Sequence, residues 1–161
     1  IAFAREQEFD LIESKVDIYV MDTDGGNVRR LLYGREYDAW PAWSPDGTQI
    51  AFASNRDDGS IRMWHRRVGA GEYDGDLDFD IYVMDADGGN VRQLTNAPGW
   101  DGTPAWSPDG TRIAFASERH VTGLERNIYI MDADGGNVRQ LTDTSRRDTR
   151  PAWVPVQQPR T

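Results

Sequence analysis

The stretch "PAWSPDGTRIAFAS" at 104–117, followed at 127–142 by "NIYIMDADGGNVRQLT", decides the fold because the chain contains it more than once. "PAWSPDGTQIAFAS" at 41–54 differs from it at one position in 14. "DIYVMDTDGGN" starts at 17 and "DIYVMDADGGN" at 80, "PAW" returns at 151, and "IAFA" opens the chain. From the start of the second motif to the next "PAW" is 24 residues in all three copies, and from "PAW" to "IAF" is nine in both complete copies. Only the interval from "IAF" to the second motif varies, at 16, 30 and 14 residues. The repeat is therefore about 47 to 49 residues long, with an insertion of about 14 in the middle copy.

Repetition at this period dictates the architecture. Each unit reads as four short strands. Strand A is "PAWS", and its Ser-Pro-Asp-Gly turn uses Pro45 or Pro108 to preset φ and Gly47 or Gly110 to accept the left-handed conformation. Strand B is "IAFAS", strand C is "IYVMD" or "IYIMD", "DGGN" makes the second tight turn, and strand D is "VRRLL" or "VRQLT". Strands B and C lack apolar/polar alternation. Ile50 and Phe52 point one way, Ala51 and Ala53 the other, and both sets are apolar. A sheet buried on both faces gives that pattern, with the alanines letting a neighbouring sheet approach closely. Four-stranded antiparallel units stacked face to face predict an all-β propeller. A helical solenoid is excluded by the β-branched and aromatic strands and the Gly/Pro turns.

The two quoted motifs together resemble the repeat of TolB-type β-propellers, which is related to the WD-repeat class, and the resemblance runs through nearly the whole chain. It implies membership of a family whose propellers close with six blades and act as interaction platforms rather than enzymes. It also implies a periplasmic or extracytoplasmic location. The same repeat occurs in propeller domains attached to peptidases and in sugar-processing proteins, so the fold transfers more firmly than the function.

The expected organisation is a half-propeller over 1–156 and a tail at 157–161. Strands B, C and D occupy 1–32, one blade runs 41–94 with its insertion at 55–79, a second runs 104–142, and a closing strand A lies at 151–156. Twelve strands make three blades, whereas closed rings need about four to eight. Two copies meeting head to tail resolve this. Pro151 and Trp153 of each complete the blade begun by Ile1 and Phe3 of the other, giving a six-bladed homodimer. The rival organisations are a piece of a longer propeller, or a half that needs a different partner. A first residue other than methionine fits a fragment or a mature product.

Composition narrows the function. The absence of cysteine excludes disulfide and thiolate chemistry. A net charge of -9 disfavours nucleic acid, whose binding depends on Lys and Arg releasing counterions. No run approaches the roughly 18 apolar residues of a membrane-spanning helix.

The A-to-B and C-to-D turns share one face and repeat closely. The other face carries the divergent loops 33–40, 95–103 and 142–150 and the insertion. Trp40, Trp100, Trp64, His65, Arg66, Arg67, Tyr73, Arg146 and Arg147 are its candidate ligand-binding residues, a mixture suited to protein or sugar contact. The insertion reads equally as a hairpin extension of one blade.

Three residues before each "PAW" proline stands an aspartate, Asp38, Asp101 or Asp148, placed at the channel mouth. Six such carboxylates in a two-copy ring would repel one another and favour protonation or a bound cation, with Ca²⁺ suited to six to eight oxygens. Alternatively each bonds backbone amides or an arginine of an adjoining blade, with Arg56 and Arg119 the obvious partners and Arg5 a looser match. "DADGGN" is not an EF-hand loop, since it lacks the third ligand and the closing Glu. His65 and His120 have no repeated partner, and no nucleophile elbow, phosphate loop or Ser/His/Asp spacing is visible. The sequence thus points to a scaffold without catalytic residues, binding a protein or peptide, with channel Ca²⁺ the sole candidate cofactor. The second reading is the propeller portion of a hydrolase, a peptidase or a sugar-binding protein.

Overall fold

The computed structural model describes residues 1–9, 13–34, 36–56, 78–119 and 125–154. They form three antiparallel sheets. Blade 1 is β1 (Ala2–Phe9), β2 (Glu13–Val20) and β3 (Arg29–Arg30). Blade 2 is β4 (Asp38–Trp43), β5 (Gln49–Ser54), β6 (Asp80–Asp85) and β7 (Arg92–Gln93). Blade 3 is β8 (Asp101–Trp106), β9 (Arg112–Ser117), β10 (Asn127–Asp132) and β11 (Arg139–Gln140). Within each sheet the strands follow chain order, so every connection joins neighbouring strands.

The apolar residues of β5 divide between two cores. Ile50, Ala51, Phe52 and Ala53 are all fully buried. Ile50 and Phe52, with Tyr82 and Met84 of β6, pack against Ile18, Val20, Leu31 and Leu32 of blade 1. Ala51 and Ala53, with Ile81 and Val83, face Ile113, Phe115, Tyr129 and Met131 of blade 3. Each blade thus offers bulky residues to the blade before it and small ones to the blade after it, as the doubly apolar strands imply. Polar latches repeat across the same junctions. Arg29 Nη2 donates to Ala86 O at 3.0 Å, and Arg92 Nη2 to Ala133 O at 3.3 Å. Gly88 and Gly135, at φ +96° and +95°, lie so close to the preceding blade that a Cβ would come within 2.7 Å of Leu31 O and 2.8 Å of Leu94 O.

Three features differ from the sequence expectation. Strand A starts at Asp38 and Asp101, ahead of "PAW". A β-bulge lets it do so. Ala39 pairs with Ala53 and Ala42 with Ala51, leaving Trp40 and Pro41 opposite the single Phe52, and Thr103 and Pro104 occupy the same position in β8. Proline has no N–H to lose there, and Trp40 and Thr103 take the left-handed turn at φ +53° and +52°. Strand D shrinks to two residues in every blade, because the outermost strand has solvent beyond it; Val28 and Val138 are 45% and 39% exposed.

Finally, 151–154 is not in a strand, so the described residues hold eleven strands rather than twelve. Its ladder partner would be a strand B following it. Instead, Trp153 Nε1 donates to Ala105 O of β8 at 2.9 Å. Most of the insertion, 57–77, and 155–161 fall outside the described residues.

Ala51 is fully buried in the junction with blade 3. Ala51→Leu therefore inserts a side chain where blade 3 already touches, and is expected to cost about 1–3 kcal/mol. Urea unfolding checks this, and an unchanged midpoint would show that the blades are not close-packed there.

Candidate functional site

The ends of strands A, B and C that carry the divergent loops hold buried polar residues, with an aromatic patch where blades 2 and 3 meet. On strand A, Asp38 and Asp101 are 2% and 1% exposed. Arg56 Nη2 donates to Asp38 Oδ1 at 2.9 Å, and Arg119 Nη2 donates to Asp101 Oδ2. Each arginine belongs to the same blade as its aspartate, not to an adjoining one as expected, because Asp38 lies opposite Ser54 and Asp101 opposite Ser117 in the register. Both guanidinium groups also sit 5.1 Å over an aromatic pair, Phe52/Tyr82 or Phe115/Tyr129. Burial pushes both carboxyls up from the ordinary range, and the arginines pull against it.

Both aspartates are thus paired with an arginine of their own blade. Among the described residues, no group of three or more Asp, Glu or His is placed to hold a metal ion. Asp148 differs from the other two. It is half-buried, accepts from Thr144 Oγ1 at 3.3 Å, and forms no ion pair with a described residue.

A second tier at the start of strand C was not singled out from sequence. Asp17 receives Arg30 Nη2 at 2.8 Å, with Lys15 Nζ at 3.9 Å. Asp80 has no cation among the described residues. Gln93 Nε2 donates to its Oδ2 at 2.8 Å and Thr95 Oγ1 to its Oδ1 at 3.0 Å. The third copy has Asn127, whose Oδ1 accepts from Thr144 N at 3.0 Å. Asp101 N donates to Phe79 O at 2.7 Å, which sets the Asp80 and Asp101 segments side by side across the junction of blades 2 and 3. Burial first, and the charges of Asp101 and Asp78 next, raise Asp80 to about 7, although Thr95 and Gln93 oppose this. The signal was present in the sequence. The strand-C residue stands 21 positions before the strand-A aspartate in every copy, and one copy replaces Asp with Asn.

The aromatic residues are more buried than ligand contact would need. Trp100 is 7% exposed and lies in the core, and Trp40 meets it edge-on at 5.3 Å. Tyr37 and Phe79 complete the patch at 5.7 Å. Arg126 Cζ sits 3.8 Å over the Trp100 ring while its Nε donates to Glu118 at 2.8 Å, a cover that the sequence did not suggest. Among the described residues of this face, Tyr33, 78% exposed, and Arg146 and Arg147 are exposed. Trp64, His65, Arg66, Arg67, Tyr73 and His120 lie outside the described residues. Of the closure residues, Ile1 is 52% exposed, Phe3 stacks on Tyr19 at 5.7 Å, and Pro151 and Trp153 are half-buried.

Known proteins share this architecture. The profile of the TolB beta propeller domain family matches residues 67–157. The Tol-Pal system protein TolB of Bordetella pertussis is 32% identical over 144 residues, covering 70% of this chain and 33% of the relative. A solved structure from Agrobacterium tumefaciens, assigned as a TolB, is 30% identical, superposes with a TM-score of 0.63, and covers 86% of this chain and 44% of its own. The β-propeller domain of the trilobed protease from Pyrococcus furiosus, 16% identical with a TM-score of 0.55, covers 89% and 39% and shares the fold. The chain thus spans less than half the length of each of these proteins.

Asp80 sets a pH dependence. The folded chain holds a proton on it up to about 7, whereas the unfolded chain releases it near the ordinary 3.8. Folding therefore takes up a proton between those values, and this contribution to stability is lost as pH rises through that window. Asp80→Asn, which copies Asn127, is expected to flatten this slope and to raise Tm at pH 8 by a few degrees. Thermal melts from pH 5 to 8 measure it, and a parallel slope in both proteins would show that Asp80 is ionised throughout.

Proposed function

Because this chain belongs to the TolB beta propeller domain family, we propose that it is a non-enzymatic propeller scaffold that binds a protein or peptide through its loop-bearing face. The observation that carries this reading is the contrast between the two faces. One consists of repeated tight turns closed by their own aspartates, as in Ser107 Oγ donating to Asp109 Oδ1 at 2.6 Å. The other places unlike, exposed side chains, Tyr33, Arg146 and Arg147, above the buried polar residues of the strand ends. Rigid blades under variable loops suit recognition of a surface, since little order has to be imposed on binding. The Tol-Pal designation of the Bordetella relative supports a protein partner and an extracytoplasmic setting.

Three blades cannot encircle an axis, and we assign the remaining blades to a second copy, giving a six-bladed ring. Support comes from blade 1, a three-stranded sheet whose edge is β1, and from 151–154, which follows the course of a strand A outside any sheet.

Selection of a displayed peptide library against the purified chain tests the binding face. Arg146→Glu with Arg147→Glu is expected to weaken the selected peptides roughly tenfold or more, while Asp24→Ala on the turn face leaves them unchanged. Equal loss from both variants would overturn the assignment of the face.

A further inference from the structure

Both blade junctions among the described residues repeat the same three contacts, and the outer flanks of blades 1 and 3 hold the two halves of a third set. Gly88 and Gly135 are covered by Leu31 and Leu94 of the preceding blade, whereas Gly25, their counterpart in blade 1, has nothing within 4 Å of its Cβ position. Leu141, the counterpart of Leu31 and Leu94, is 48% exposed. Arg29 and Arg92 donate to the carbonyls of the following blade's turn, at Ala86 and Ala133. Arg139 stands at the equivalent position of blade 3, and Thr23 at the equivalent carbonyl of blade 1. The bulky flank that blades 2 and 3 bury, Phe52/Tyr82 and Phe115/Tyr129, has its match in Phe3 and Tyr19, stacked at the same separation but half-buried.

A charged contact within each blade is more specific still. In blades 2 and 3 a guanidinium rests over the aromatic pair and binds the first aspartate of strand A. The residue that supplies it, Arg56 or Arg119, is replaced in blade 1 by Gln7. Arg5, two positions earlier, compensates. Its Cζ lies 5.1 Å from the Phe3 ring and 4.7 Å from the Tyr19 ring, where Arg56 and Arg119 hold theirs at 5.1 Å. Blade 1 thus carries the receptor for a strand-A aspartate and has no strand A. Asp148, the strand-A aspartate at the other end of the chain, forms no ion pair with a described residue.

We propose that Arg5 is the receptor for Asp148 of a second copy, and that the flank formed by Phe3, Tyr19 and Gly25 docks on the flank that carries Leu141 and Arg139. The register is that of the other blades. Asp38 lies opposite Ser54 and Asp101 opposite Ser117, so Asp148 lies opposite Arg5. Opposite charges facing each other on adjacent strands attract, and the surrounding aromatic rings remove the water that would screen them. Arg5 and Asp148 would then select the chain's own closing strand over other exposed strands. This interface rests on the two-copy ring proposed above.

Sedimentation equilibrium separates the two ideas. The wild-type chain is expected at about 36 kDa, twice the 18.2 kDa of one copy. Arg5→Glu and Asp148→Arg should each weaken the dimer roughly tenfold or more, and the double swap should restore it, which rules out simple misfolding of the single variants. A wild-type dimer whose dissociation is unmoved by either single change would overturn the Arg5–Asp148 pair and leave the ring standing. A wild-type monomer at 18.2 kDa would overturn both.

Discussion

The fit of a bulky flank onto a small one is the constraint on which the rest of this structure depends. In β5 alternate residues serve different cores, Ile50 and Phe52 one and Ala51 and Ala53 the other, and none of the four retains exposed surface. A strand built this way cannot be stable in an isolated sheet, since half of its apolar area would face water. Each blade therefore needs a neighbour on both sides. Among the described residues only blade 2 has both. The turn glycines, the arginine latches and the aspartate–arginine pairs are refinements of that single requirement, and they repeat because the junction repeats.

The polar tier shows how the repeats have diverged without disturbing the stack. At the start of strand C the same buried position is met three ways: Asp17 with Arg30, Asp80 with Gln93 and Thr95, and Asn127 with the amide of Thr144. A carboxylate beside the strand-A aspartate of the next blade is costly unless it is neutralised. The first copy supplies a cation, the third removes the charge, and the second keeps a proton. Such differences alter the charge at this end of the blades while the strand pairing stays the same.

Much of this was legible in the residues. The repeat period gave the propeller, and the apolar doubling of "IAFAS" and "IYVMD" gave the two-sided blades. What stayed hidden depended on contacts between distant segments. Pro41 reads as the start of a strand, yet the bulge at Trp40 and Pro41 continues that strand back to Asp38. Trp100 reads as a surface aromatic in a divergent loop, yet Arg126, 26 residues later, covers it. The segment 151–154 reads as a strand, yet a strand exists only with a ladder partner, and none pairs with it among the described residues. Arg5, only a looser match to Arg56 in the aligned repeats, holds its guanidinium over the Phe3 and Tyr19 rings from a position two residues earlier.

The central claim is that β1 is an interior strand of the assembled ring. Hydrogen exchange at the β1 amides that point away from β2 tests it most directly. The account predicts protection at tens of micromolar chain that disappears on dilution, while β5 and β9 remain protected throughout. Exchange of those β1 amides at the free-chain rate, at concentrations where β5 and β9 are protected, would contradict it.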